Sequence, residues 1–131
     1  MRSRKRQGNR GLSHDSSSLL YFAGGIRAIS VVSLTELHFG VLVARDEETR
    51  ARRMRRLGAI EDRFDALLFD AAAARECGRL HAVVAQRGGQ PRRRALDLAI
   101  AATASVHRVP LLTYNVKDFE IIADELDVRA R

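Results

Sequence analysis

Cysteine is nearly absent: Cys77 stands alone. One thiol makes no internal disulfide and offers no zinc spacing, so a reducing, intracellular setting and a cytoplasmic protein are expected. The four histidines, His14, His38, His81 and His107, form no ligand-spaced pair. No glycine-rich phosphate loop is present, which leaves the nucleotide-binding motifs built on one without support. No serine sits in a nucleophile-elbow sequence, so Ser-His-Asp chemistry is a poor competitor. The basic start MRSRKRQGNRG is followed by no apolar core, so a secretory signal is not expected. The most apolar run, around Leu98 to Val106, is too short to span a membrane. Acids are scarce before residue 36: only Asp15 occurs there.

What is present is one domain's worth of chain. At 131 residues there is no room for two ordinary cores. The net charge of +7 is concentrated in a tail. Residues 1–28 carry six basic groups against one acid, whereas the remainder is close to balanced. Residues 1–27 therefore read as a basic, poorly ordered N-terminal segment, and 28–131 as the folded domain. Such a tail adds nonspecific affinity for phosphate backbones or is simply a solvated arm.

The short apolar run Leu19 to Ala23 fits a strand or a helix turn, its length deciding neither, and regular structure is expected from Arg27. Ala28 to Val32 is a β-branched-rich run suited to a strand buried on both faces. Ser33-Leu-Thr-Glu36 reads as a capping box opening a helix to about Ala44, with Leu34, Leu37, Val41 and Phe39 facing inward. Asp46 to Arg63 reads as a second, mostly solvated helix with a narrow stripe of Met54, Leu57 and Ile60. Ala66 to Phe69 is another strand. Asp70 caps an alanine-rich helix that Gly88-Gly89 and Pro91 end. RRRALDLAIAATASVHR is a helix burying Leu96, Ile100, Thr103 and Ala104, and Val109 to Thr113 is a strand. A short helix and an edge strand near Val128 close the chain. Strands alternating with helices imply βαβ units and a parallel sheet, whose ligands bind beyond the carboxyl ends of the strands.

Glu36, Asp97, Asn115 and Asp118 are all expected at that edge. Carboxylates held together repel unless a cation sits between them, and hard oxygen ligands select Mg²⁺ or Mn²⁺ over zinc. Such an ion activates water and neutralises charge building on a phosphodiester, with no covalent nucleophile needed. Taken singly, each acid has an ordinary structural role: Glu36 in the capping box, Asp97 at a helix start, Asp118 in a turn. Their placement in three ordered motifs is what points to a site. Arg92, Arg93 and Arg94 lie beside Asp97, as guides for RNA phosphates or as a solvated basic loop.

Three segments carry a family likeness: TELHFG at 35–40, RRRALDLAIAATA at 92–104 and LLTYNVKDF at 111–119. Together they resemble the PIN-domain ribonucleases and, more narrowly, the VapC toxins of type II toxin–antitoxin pairs. The likeness runs from about Ile29 to Val128. It implies a three-layer α/β/α domain with a central parallel sheet and an acidic quartet binding Mg²⁺ or Mn²⁺. It also implies an RNA substrate, inhibition of translation, a homodimer and a cognate VapB-like antitoxin. Carried over residue by residue, Glu36, Asp97 and Asp118 are the catalytic, metal-holding acids. Asn115 and Thr113 orient a neighbouring carboxylate or the attacking water. The family's first strand ends in a further acid, and here only Asp15 is available, with 13 residues before Ile29. Two readings stay open. Asp15 is a displaced first metal ligand, or the first strand and helix are missing and the domain is inactive, binding only an antitoxin or nucleic acid. A basic nucleic-acid-binding protein without an active site is a third.

Overall fold

The computed structural model describes residues 20–23 and 26–131. Five strands form one sheet in the order β3-β2-β1-β4-β5. They are β1 (Leu20–Ala23), β2 (Ile26–Ser30), β3 (Asp65–Leu67), β4 (Leu111–Thr113) and β5 (Val128–Ala130). The helices are α1 (Val31–Leu42), α2 (Glu47–Arg63), α3 (Ala71–Gln86) and α4 (Ala95–His107). Short 3-10 segments cover Pro91–Arg94 and Val116–Ile122.

β2 pairs parallel with β3, and β4 parallel with β5. β1 is antiparallel to both β2 and β4, with Tyr21 opposite Ala28 and Leu20 opposite Leu112. The expected parallel sheet therefore has one exception, and it lies at the centre. The four flanking strands all end at the same edge, next to Ser30, Leu67, Thr113 and Ala130. Because β1 runs the other way, its first residue, Leu20, lies at that edge. The central position is thus filled, so β2 and β4 do not face each other as unpaired edges. The sheet also starts earlier than residue 28, since β1 and the start of β2 precede it.

Helix α1 begins three residues before the expected start. Ser30 is its N-cap: the hydroxyl accepts from the Val32 N–H at 2.9 Å. Val31 and Val32, read as strand from their β-branching, are the first turn of the helix, because β2 has already reached the sheet edge at Ser30. Ser33 and Glu36 both lie inside the helix, so the Ser33-to-Glu36 box does not form the cap. The Asp70 cap is as expected, and Asp46, expected only as part of an acidic helix start, is a cap as well. Asp46 accepts from Thr49 N–H at 2.7 Å to open α2, and Asp70 from Ala73 N–H at 3.0 Å to open α3.

The core lies between α3, α4 and the sheet. α3 contributes Cys77, Leu80 and Val84; α4 contributes an unbroken buried run from Leu98 to Ala104. Four alanines in that run let the backbone of α4 lie close to its neighbours, which is why this helix is buried around most of its circumference. Leu96 faces outward, 48% exposed, rather than inward as expected. Phe119 and Ile122 seal the core from the segment after β4.

Candidate active site

The direction of the chain decides where the acids lie. α4 leads into β4, so the N-terminus of α4 stands at the carboxyl edge of the sheet. Asp97, in the first turn of α4, is therefore placed there, half-buried. The chain leaves β4 at the same edge and turns at once into Val116–Ile122, which carries the half-buried Asp118. α1 leaves the edge from Ser30 and packs against α4. Glu36 lies on α1, half-buried and six residues past the cap.

The turn after β4 is fixed by short-range bonds. Thr113 is buried, and its hydroxyl accepts the Asn115 N–H at 3.0 Å. The Asn115 carbonyl then accepts the Asp118 N–H at 3.1 Å. Thr113 thus orients the loop backbone, a narrower role than orienting a carboxylate or water. Asn115 is exposed at the start of the turn. The Arg94 guanidinium donates to the Asp118 carbonyl oxygen, tying the loop to the entry of α4. Arg94 is half-buried, while Arg92 and Arg93 are exposed on the 3-10 segment before α4.

Sequence reasoning does not find Ser33. Its hydroxyl is fully buried and has no hydrogen-bond partner among the described residues. It stands three residues before Glu36, on the same side of α1. A buried hydroxyl without a partner costs about 1–3 kcal/mol, so this position is equipped for a water or a carboxylate oxygen. The only signal for it is the serine itself, which the cap motif absorbs. The bond from Arg94 to Asp118 is equally hidden, since nothing in a run of three arginines tells which one turns inward.

The candidate donors are all oxygen: the carboxylates of Glu36, Asp97 and Asp118 and the amide of Asn115. This chemistry fits a hard divalent cation. Among the described residues, no group of three His, Cys, Asp or Glu side chains is arranged to enclose a metal ion. A smaller protein share still suits Mg²⁺, which keeps several waters and is often held by one or two carboxylates and the substrate's phosphates. Asp15 lies outside the described residues. Among the described residues, no helix is long and apolar enough to cross a membrane.

Residues 13–125 match the PIN domain family. Over 86 residues the chain is 40% identical to Ribonuclease VapC5 of Mycobacterium tuberculosis, covering 66% of this chain. The matched stretch spans 62% of that relative, less than two thirds of its length. Among solved structures, that of VapBC-5 from M. tuberculosis, a member of the VapBC family of toxin–antitoxin systems, superposes with a TM-score of 0.70 at 35% identity, covering 79% of each chain. VapBC2 from Rickettsia felis, bound to a DNA fragment from its promoter, gives 0.69 at 27% identity, over 79% of this chain and 74% of the other.

Proposed function

The chain belongs to the PIN-domain family, and from that premise we propose that it is an endoribonuclease of the VapC toxin type. It cuts RNA with the help of Mg²⁺ or Mn²⁺, so inhibiting translation in the cytoplasm, and a VapB-like antitoxin neutralises it, with the toxin acting as a homodimer. The observation that supports the reading is the bond from Arg94, at the entry of the helix that carries Asp97, to the Asp118 carbonyl, which joins two motifs distant in sequence.

Asp97 and Asp118 would hold the cation, with Glu36 as the third acid; Asp15, outside the described residues, is the candidate for a fourth donor. When bound, the ion supplies water activation and neutralises charge on the scissile phosphodiester. The chain's own residues do the rest. Thr113 and Arg94 fix the Asp118 loop, Asn115 offers an amide to orient the incoming phosphate, and Arg92 and Arg93 draw the RNA backbone toward the acids. The partner is supported by exposed apolar surface at the α1–α2 hairpin: Phe39, Leu42, Val43 and Met54 are all exposed.

A second reading, a PIN domain that binds its antitoxin or nucleic acid without cutting, is favoured by one observation, the lack of three enclosing ligands among the described residues. Purified protein incubated with single-stranded RNA, with Mg²⁺ or Mn²⁺ and with EDTA, separates the two. Cleavage that needs the metal and is lost in Asp97→Asn supports the enzyme. An inactive parent protein selects the binding-only reading.

A further inference from the structure

Beside the acidic edge lies a cavity of about 470 Å³. Asp118 belongs to its wall and to the acid set alike. Its lining includes apolar Ile121 and the nearly covered Val84, the cations Arg93, Arg94 and Lys117, and Glu120 as the other acid. We propose that this cavity is a nucleotide subsite: it takes one unpaired nucleotide of the RNA strand next to the scissile bond. This deepens the ribonuclease reading and rests on it for the identity of the strand.

One wall of the cavity is set by the backbone after α3. α3 ends at Gly88, whose φ of 86° is the left-handed conformation glycine tolerates. The next residue, Gly89, donates its N–H to the Val84 carbonyl at 2.8 Å. A Cβ at Gly89 would stand 2.7 Å from a Val84 methyl and 2.8 Å from Ile121 Cδ1. The glycine pair therefore lets the chain fold flat against Val84 and Ile121. On the opposite side the Arg94 bond to Asp118 holds the 3-10 segment in place.

The lining suits one ligand class. Cavities of this size commonly take a small ligand on an apolar surface with a few polar groups to orient it. Half-buried Ile121 offers the apolar contact for a base. Arg93 and Lys117, which form no ion pair among the described residues, are left for a phosphate. Arg94 already bonds a carbonyl and serves chiefly to hold the wall. The cavity adjoins Asp118, so a nucleotide here places the neighbouring phosphate toward the acids. A base can enter only when splayed from its strand, which a duplex does not permit. The cavity thus selects single-stranded RNA at this position.

The test is equilibrium binding of a short fluorescein-labelled single-stranded RNA to the full chain, in EDTA so that nothing is cut. The expected result is that Arg93→Ala combined with Lys117→Ala weakens binding roughly tenfold. The logarithmic salt slope falls by roughly 0.7 for each phosphate that the variant no longer neutralises. Both side chains are exposed, so the melting temperature should not change. As a control, Arg55→Ala with Arg56→Ala, on the solvated face of α2, leaves binding near that of the parent. Equal binding by the Arg93/Lys117 variant overturns the subsite. So does an equal loss in the α2 control, which would mean general charge attraction, and so does equally tight binding of the annealed duplex. Failure of the parent to cut RNA with Mg²⁺, with the binding pattern intact, supports the subsite and removes the ribonuclease reading alone.

Discussion

The two helical pairs of this molecule treat apolar surface in opposite ways. α3 and α4 bury it: from Leu98 to Ala104 every residue of α4 is inside, and Leu80 and Val84 of α3 meet it. α1 and α2 leave it out: α1 buries only Ser33, Gly40 and Val41, and α2 only Leu57. Leu42 is 75% exposed and Met54 54%. The α1–α2 pair is held to itself by polar contacts. His38 meets Glu61 at 3.1 Å, and Arg53 donates to the Gly40 carbonyl at 2.6 Å. The difference separates two tasks. The α3–α4 side fixes the entry of α4 and the loop after β4, and so the position of Asp97 and Asp118. The α1–α2 hairpin carries one acid of the proposed site, Glu36, and otherwise presents surface.

If the two sides divide the work in this way, substitutions on them should behave differently. The largest effect is expected from Ile100→Ala, which empties a fully buried position of α4. It should lower unfolding free energy by about 2–5 kcal/mol in urea titration. Met54→Ser, exposed on α2, should change it by less than about 0.5 kcal/mol. Comparable losses at both would erase the contrast.

A smaller effect is expected at the cap of α1. Ser30→Ala removes the acceptor for Val32 N–H and should cost about 1 kcal/mol. Ser33→Ala should cost nothing or stabilise slightly, since its hydroxyl has no partner to lose among the described residues. The reverse order would restore Ser33 as the cap.

The next contrast is one of pH. The α3–α4 side carries a charged clamp to the C-terminal segment. Glu76 accepts from Arg79 at 2.9 Å and from the Ser105 hydroxyl at 2.8 Å. Arg79 also meets Glu125 at 2.8 Å, and Arg87 bonds Asp124 and the Ile121 carbonyl. The Arg79 bond holds the Glu76 carboxyl below the usual glutamate range against the cost of its burial; the Ser105 bond helps. A carboxylate with a depressed folded pKa contributes stability that is fully present above its unfolded pKa. That contribution is lost as pH falls through the folded value. Thermal stability should therefore drop on acidification below the ordinary glutamate pKa, and Glu76→Gln should flatten part of that drop. An unchanged acid limb in Glu76→Gln would show that the clamp adds nothing to stability.

The same contrast marks what the sequence can tell. The αβ alternation, the acidic start of α2 at Asp46, the Asp70 cap and the buried alanine-rich α4 are legible, because periodicity and capping are local. Residues such as Leu57, Ile100 and Thr103 are buried as their spacing implies. Phe39, Met54 and Leu96 are not: an apolar residue reads as core whether it meets another helix or is left as surface. The start of α1 is misplaced by sequence because Val31-Val32 has strand propensity, which tertiary context overrides. β1 is the least legible element. Its antiparallel pairing with β2 has a local signal, the Gly24-Gly25 pair between two apolar runs, but its pairing with β4 is long-range and has none. At the site, Asp97 and Asp118 stand out through their motifs. The cavity does not, because Gly88-Gly89, Arg93 and Lys117 come together only in three dimensions.

Everything proposed for the site turns on a divalent cation sitting among Asp97, Asp118 and Glu36. Titrating ¹⁵N-labelled protein with trace Mn²⁺ and recording paramagnetic broadening of the amide signals locates that ion. Broadening should centre on the first turn of α4, the Val116–Ile122 segment and the middle of α1, and should disappear in Asp97→Asn. Broadening centred on another face, or unchanged in Asp97→Asn, would place the ion elsewhere and end the metal-site reading.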